Sequence, residues 1–311
     1  VDAGVTWTDV TPSSGTAEFA WDIPQDADGD LWLITDEREN PEVPGAAGAG
    51  RIYKSTDRGV TWTLKFTSTD SGLGRKYMMF ETSYFHEDLY SMRQMFKAGD
   101  LGKVIYSEGE YWHYMPVSLP SYDPKNNDVN LTGWREGLPP QWYPTHSNAY
   151  YVGVTGGSFT EVSCMGVPSI IKHLTPDNNR YKNPFGTEIA LFRTSEGGMS
   201  RMGVSWDTPG EGGERGRIRT QKGTFYGKFD SDEGGKSRPL IRRPPLPPGV
   251  EAGGHGGSHG YLMSEFVEAI LEDRKPLVDV AQSLAMTVGG IVAHQSALKN
   301  GELLKIPQYV F

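Results

Sequence analysis

The stretch Leu138-Pro-Pro-Gln-Trp-Tyr-Pro-Thr-His146-Ser-Asn-Ala-Tyr150 decides how the rest of the chain is read. A proline-broken apolar run delivers an indole, a phenol and an imidazole to the start of a helix, because Pro144 and Thr145 suit a first turn and its N-cap. Such a start leaves backbone N–H groups unpaired, so the local field favours an anion or a hydroxyl losing its proton. Polar aromatic groups placed there suit a sugar-like or hydroxy-acid substrate. Trp142 and Tyr143 are equally readable as core aromatics, and His146 as a satisfied core histidine. The neighbouring stretches have to separate the two readings.

Working outward, Gly156 and Gly157 stop the helix. Strand-like runs follow at 159–167, 186–194, 199–206, 217–221 and 224–229. Glu196-Gly-Gly198 and Lys222-Gly223 are turns between neighbours, which predicts antiparallel pairing. A Pro/Gly-rich crossing at 231–257 leads to two helices. One spans 258–273 with Leu262, Phe266 and Ile270 inward; the other spans 279–299, capped by Asp279 and stopped at Asn300-Gly301. A short strand at 303–306 ends the pattern. In the other direction, 77–80 is a short apolar strand ending in Glu81. Phe85, Leu89, Met92 and Phe96 recur at helical spacing over 84–98, with Gly99 as the C-cap. A strand at 103–113 carries Glu108, Glu110, Tyr111, Trp112 and His113, and a loop of some thirty residues follows. The sum is an α+β fold, an antiparallel sheet with helices on one face.

The first 66 residues have a different character: short β runs joined by Asp, Gly and Pro turns. Asp2-Ala-Gly-Val-Thr-Trp7 and Ser55-Thr-Asp-Arg-Gly-Val-Thr-Trp62 repeat one pattern, with Trp7 and Trp62 55 residues apart. The aspartate accepts hydrogen bonds from its turn, the glycine takes positive φ and the tryptophan packs beneath. The pattern resembles the Asp-box (BNR repeat) of sialidase-type β-propellers, a folding device, and implies a small propeller-blade-like β segment with 28–34 as an inner strand. Gly45-Ala-Ala-Gly-Ala-Gly50 lacks the strand before and helix after that a dinucleotide loop requires. The domains are therefore placed at 1–66, a linker at 67–76, and 77–311.

Composition narrows the function classes. A net charge of −9 argues against a nucleic-acid partner, and the basic residues from Arg238 to Arg243 lie among prolines as a solvated loop. A membrane span needs about 18 apolar residues in a row, and no run approaches that. The lone Cys164 excludes an internal disulfide and leaves a cytoplasmic or a periplasmic location open. No signal peptide opens the sequence as given, and because it starts at Val1 the native start stays open.

From residue 77 onward the order of elements and four motifs resemble the C-terminal substrate domain of the Gfo/Idh/MocA oxidoreductases. The motifs are Lys76-Tyr-Met-Met-Phe-Glu-Thr82, Gly99-Asp-Leu-Gly-Lys-Val-Ile-Tyr-Ser-Glu-Gly-Glu110, Trp142-Tyr-Pro-Thr-His146, and Gly254-His-Gly-Gly-Ser-His259 before a helix. The third and fourth are closest to the branch holding NAD-dependent glycosidases. The resemblance implies NAD or NADP as cofactor, a sugar or glycoside as substrate, and a homo-oligomer built through the open sheet face. It also implies His146 as base, Tyr143 as orienting donor or second acid, and Glu81 as an active-site glutamate. Tyr111, Trp142, His113, His255 and His259 are then expected to contact substrate. Metal is not expected, since His255 and His259 lack companions at a zinc spacing. His86, His173 and His294 are expected at the surface or in packing. The family's Rossmann domain, with its glycine fingerprint and Lys-Pro motif, is not recognisable, so the cofactor-binding residues are unassigned. Three functions follow: a sugar oxidoreductase or its substrate-domain remnant, a glycosidase acting by oxidation and elimination, and a non-catalytic carbohydrate-binding or assembly protein.

Overall fold

A computed structural model describes residues 76–117, 135–231 and 237–309 in full, together with the backbone of six further strands. Four of these lie in the first of two units, Val1–Arg75 and Lys76–Phe311. They are β1 (Glu18–Asp22), β2 (Leu31–Glu37), β3 (Gly50–Ser55) and β4 (Thr63–Thr67). Each pairs antiparallel with the next in sequence, giving a four-stranded meander with β2 and β3 in its interior. Residues 2–7 and 56–62, the body of the two Asp-box stretches, lie outside the described residues.

The second unit begins with extended residues 76–81 and a 3₁₀ turn at Ser83–Phe85. Then come α1 (Glu87–Lys97), β5 (Val104–Trp112), β6 (Pro120–Asp123), β7 (Asp128–Thr132) and α2 (Thr145–Thr155). After these run β8 (Phe159–Pro168), β9 (Phe185–Thr194), β10 (Met199–Ser205), β11 (Gly213–Thr220), β12 (Gly223–Phe225), β13 (Phe229–Ser231) and β14 (Ser237–Arg238). Two helices, α3 (Gly254–Leu271) and α4 (Val280–Leu298), and β15 (Leu304–Lys305) complete it. A nine-stranded sheet runs β14-β13-β12-β11-β5-β10-β9-β8-β15, and β6 and β7 form a separate hairpin.

Period-two alternation fixes which face the helices cover. On β9, Glu188, Ala190 and Phe192 are buried, whereas Leu191 and Arg193 on the alternate positions are exposed. Phe192 stacks on Phe159 of β8 with ring centroids 4.3 Å apart, and full burial of each such ring contributes about 1.5–3 kcal/mol. Leu89, Met92 and Met95, each three residues on from the last along α1, are buried in the same core as Tyr151 and Val152 of α2.

Two glycines let α2 lie on the sheet. Gly109 of β5 and Gly216 of β11 are direct partners. A Cβ on Gly109 would stand 2.0 Å from the Ser147 carbonyl oxygen, and one on Gly216 2.1 Å from Cγ of Tyr150. No side chain fits at either point. Bare backbone there sets the height of α2, and with it the height of His146 above the strands.

Several expectations need correction. The sheet is not wholly antiparallel: β5 and β10 run parallel, Gly109 opposite Met202. Strands joined by a long connection containing a helix are free to do so, whereas hairpin neighbours are not. Residues 77–80 form no strand, because no neighbouring strand flanks them among the described residues; Met79 N bonds the Val278 carbonyl instead. Thr145 is not a cap: Pro144 occupies that position without a side-chain bond. The run 224–229 divides into β12 and β13, and the thirty-residue loop contains the β6–β7 hairpin. Asp279 does cap α4, accepting from Gln282 N at 3.0 Å. Gly99 and Gly156 take positive φ at the helix ends, where that region favours glycine.

Candidate active site

His146, the second residue of α2, points its Nδ1 at a carboxylate. Glu81 Oε1 lies 2.6 Å away and also accepts from Ser83 N at 2.9 Å. A second carboxylate, Glu214 on β11, approaches the same nitrogen at 3.6 Å, accepts from Ser83 Oγ at 3.0 Å and pairs with His86 Nε2 at 2.9 Å. His86 Nδ1 lies 3.3 Å from the Tyr150 hydroxyl. Glu81, Ser83, His146 and Glu214 are almost wholly buried.

Tyr111 of β5 sits in register between Glu214 of β11 and Val204 of β10. Its ring lies 4.5 Å from the His146 ring and 5.6 Å from Tyr143, which is 5.1 Å from His146. Trp206 packs edge-on beneath at 5.9 Å, and its Nε1 donates to the Leu138 carbonyl at 2.7 Å. The Tyr111 hydroxyl accepts from Arg135 at 3.3 Å and lies 2.9 Å from His113 Nδ1. The Arg135 guanidinium stands 5.6 Å over the Tyr143 ring.

These contacts set the protonation states. Burial disfavours charge on His146, but the bond and charge of Glu81, with Glu214 behind, outweigh it and raise its pKa. Burial pushes Glu214 the other way, yet His86, His146 and Ser83 hold its carboxyl down at about 2. His113 is depressed by burial and by the positive charges of Arg135, His146 and His255. Burial raises both Tyr111 and Tyr143, so both phenols keep their protons at neutral pH. The arrangement is an imidazole backed by two anions, facing neutral hydroxyls: a group able to take up a proton and remain stabilised.

The residues singled out from the sequence separate into two sets. Glu81, Tyr111, His113, Tyr143 and His146 come together. Trp142 instead packs edge-on against His294 at 5.5 Å and Tyr181 at 6.2 Å. His255 and His259 bond to each other at 2.8 Å on the exposed start of α3, where His255 has φ of 49°. His86, expected at the surface, belongs to the site. His294 is buried and pairs with Glu188 at 2.7 Å. Glu214, Ser83 and Arg135 went unread. Glu214 alternates with Gly216 and Ile218 on the covered face of β11, in a glycine-rich run ahead of the strand expected at 217–221. Among the described residues no group of three or more His, Cys, Asp or Glu side chains is placed to hold a metal ion, and no helix is long and apolar enough to cross a membrane.

No family model matches the chain, and no curated protein sequence does. Solved structures do. An oxidoreductase domain protein from Kribbella flavida superposes with a TM-score of 0.57 at 16% identity, over 76% of this chain and 67% of that one. Levoglucosan dehydrogenase in complex with NADH gives 0.55 at 14% identity, over 75% and 66%. The fold is of the Gfo/Idh/MocA type. Aldose-aldose oxidoreductase from Caulobacter crescentus, complexed with glycerol, gives 0.51 at 16% identity, over 75% and 64%. The chain thus spans about two thirds of the length of these Gfo/Idh/MocA-type oxidoreductases.

Proposed function

We propose that residues 77–311 are the substrate domain of a nicotinamide-dependent sugar oxidoreductase, with His146 accepting the proton of a substrate hydroxyl at Nε2. The observation that carries this reading is the carboxylate-backed His146 facing Tyr111 and Tyr143. Glu81 bonds Nδ1, which leaves Nε2 as the nitrogen for substrate. The paired carboxylates stabilise the imidazolium that proton uptake creates. Tyr143 and Tyr111, both protonated, orient sugar hydroxyls by donating and accepting hydrogen bonds. His113 extends that polar wall, and His255 and His259 meet substrate from the start of α3.

The described residues do not by themselves suit the dinucleotide. Their one parallel strand pair, β5 and β10, is not a βαβ unit opening on a glycine-rich turn, and the glycines of α3 follow a proline-rich segment rather than a strand. No hydride step is therefore assigned to them. A dinucleotide-holding element outside the described residues would complete the enzyme.

Two further parts of the reading have their own support. The four-stranded meander of residues 18–67 has the strand count and order of one propeller blade, which with the Asp-box repeats favours a blade-like accessory segment. The uncovered sheet face exposes Met165, Leu191 and Met199 beside the alternating charges Glu108, Glu110, Arg201 and Arg217, a surface suited to a second copy of the chain. The glycosidase alternative uses the same base and differs in releasing an aglycone.

The test is a titration of the purified chain with levoglucosan, L-sorbose and glycerol, followed by imidazole NMR signals, alongside denaturing release and quantification of NAD(H). Sugar-dependent shifts of His146 that vanish in Tyr143→Phe support the site. Absence of any sugar-dependent shift, with no cofactor released or bound, overturns it. Net cofactor reduction separates the dehydrogenase from the glycosidase.

A further inference from the structure

We infer that Arg243 is a positioning residue: it ties the 3₁₀ turn at Ser83–Phe85 to the left-handed turn His255–Gly257, and so holds the start of α3 against the His146 site. The inference rests on the reading that His255 meets substrate there, and concerns what keeps it in place.

Arg243 belongs to the proline-rich crossing whose basic residues the sequence places in solvent. Arg238 and Arg242 fit that reading, pairing with Asp100 at 2.8 Å and Glu87 at 2.5 Å through largely exposed side chains. Arg243 does not. Its guanidinium donates to three main-chain carbonyls, from Nη1 to Phe85 at 2.7 Å and Gly257 at 3.4 Å, and from Nη2 to Gly256 at 3.2 Å. The Tyr261 ring lies against it, 4.1 Å from centroid to Cζ, and its Nε is buried without a hydrogen-bond partner. A planar fork with a stacking face suits this set of acceptors, whereas an ammonium offers neither the plane nor the stacking.

Both segments that the guanidinium joins border the site. Phe85 ends the turn that carries Ser83 and leads directly into His86, whose Nε2 lies 2.9 Å from Glu214 Oε2. On the other side, His255, Gly256 and Gly257 have φ of 49°, 62° and 79°. That is the left-handed region, which favours glycine and which a histidine enters at a cost. A Cβ on Gly256 would stand 3.5 Å from His86 Nε2, so this turn is seated on the His86 imidazole. The positive charge of His255 also reaches the site, since it helps to depress His113. Ser258 Oγ donates to the His255 carbonyl and Gly260 N to the Ala252 carbonyl at 2.9 Å. Those bonds close the turn on itself; the bonds of Arg243 are the ones that cross to the 3₁₀ turn. Without the guanidinium, the left-handed turn loses its donors and relaxes off His86, carrying His255 with it.

The experiment records imidazole NMR signals of the full chain labelled at histidine, in the wild type, Arg243→Lys and Arg243→Ala. Lysine keeps the charge without the fork, so a displacement in Arg243→Lys reports geometry and not lost charge. The His255 and His86 signals are expected to move in both variants, while His294 stays in place as the mark of an intact fold. Methylguanidinium added to Arg243→Ala is expected to return them, which a general loss of stability would not allow; if Arg243→Ala does not fold, Arg243→Lys decides. Levoglucosan affinity is expected to fall by at least about tenfold in Arg243→Lys, the low end for one lost charge-assisted hydrogen bond. Signals of His255 and His86 that stay in place, that move together with His294 in Arg243→Lys, or that methylguanidinium does not return overturn the inference. Displaced signals with undiminished levoglucosan affinity overturn it as well. A wild type that takes no sugar defeats the substrate reading instead, and the histidine signals then decide by themselves whether Arg243 sets the turn.

Discussion

Glu81 Oε1 and His146 Nδ1 are bonded at 2.6 Å, with both side chains nearly excluded from water. Removing one partner of such a pair leaves the other desolvated and unmatched, at a cost of about 3 kcal/mol. Glu81→Gln is therefore expected to lower stability in urea denaturation by roughly that amount at pH 6. The pair raises the His146 pKa in the folded state. Its stabilisation is full below the unfolded value of about 6.5 and is lost as pH rises through the folded value. The gap between wild type and Glu81→Gln should narrow in alkaline solution, and imidazole NMR should show His146 titrating lower in the variant.

Glu214 behaves in the opposite sense. Its folded pKa of about 2 lies below the unfolded value, so its contribution is present above roughly pH 4.3 and is lost as pH falls toward 2. Acid unfolding followed by circular dichroism should be shallower in Glu214→Gln than in the wild type between pH 5 and 2. Equal slopes would mean that the carboxylate is not held by its two histidines.

The bare strip under α2 predicts a sharp steric penalty. Gly109→Ala and Gly216→Ala each force a methyl group into backbone or ring atoms that cannot withdraw, and overpacking of this kind costs about 1–3 kcal/mol or more. In a unit this large that is a fall in melting temperature of roughly 2–12 °C. Because Ser147 adjoins His146, Gly109→Ala should also displace the His146 NMR signal. The same exchange at Gly210, whose Cβ would meet nothing within 4 Å, should leave that signal in place.

Glu188 and His294 form a second buried pair, packed against Gln141 and Trp142. Glu188 Oε1 bonds His294 Nδ1 at 2.7 Å and its other oxygen accepts from Gln141 N at 2.7 Å. Glu188→Ala should cost about 3–5 kcal/mol in denaturant. His294→Leu combined with Glu188→Met should cost less than the two separately, the mark of a pair whose desolvation nearly offsets its attraction.

Most of the architecture was legible from local signals. Apolar spacing on α1, the Asp279 cap and the turns at 196–198 and 222–223 each act within a few residues, and each appears in the structure. His146, Tyr143, Tyr111 and Glu81 were singled out through the family resemblance of the motifs that carry them, and the structure brings the four together. Glu214, Ser83 and His86 were not, since their meaning arises only when β11 is brought against the 3₁₀ turn and α2, a meeting no local pattern encodes. The direction of β10 against β5 was hidden for the same reason. The glycine strip left no trace either, for Gly109 and Gly216 are more than a hundred residues apart in sequence and opposite each other in the sheet.

That pairing has a kinetic meaning. The hairpins β9–β10 and β11–β12 close over short loops and can form early. β5 must wait for both, since its partners lie roughly ninety to a hundred and fifteen residues downstream, and such distant closures slow folding. Until β5 is seated, Tyr111 and Glu214 are apart and α2 has no floor. A chain emerging from the ribosome therefore holds its aromatic wall and its carboxylates separately, and the constellation around His146 is complete only after the C-terminal half has been made.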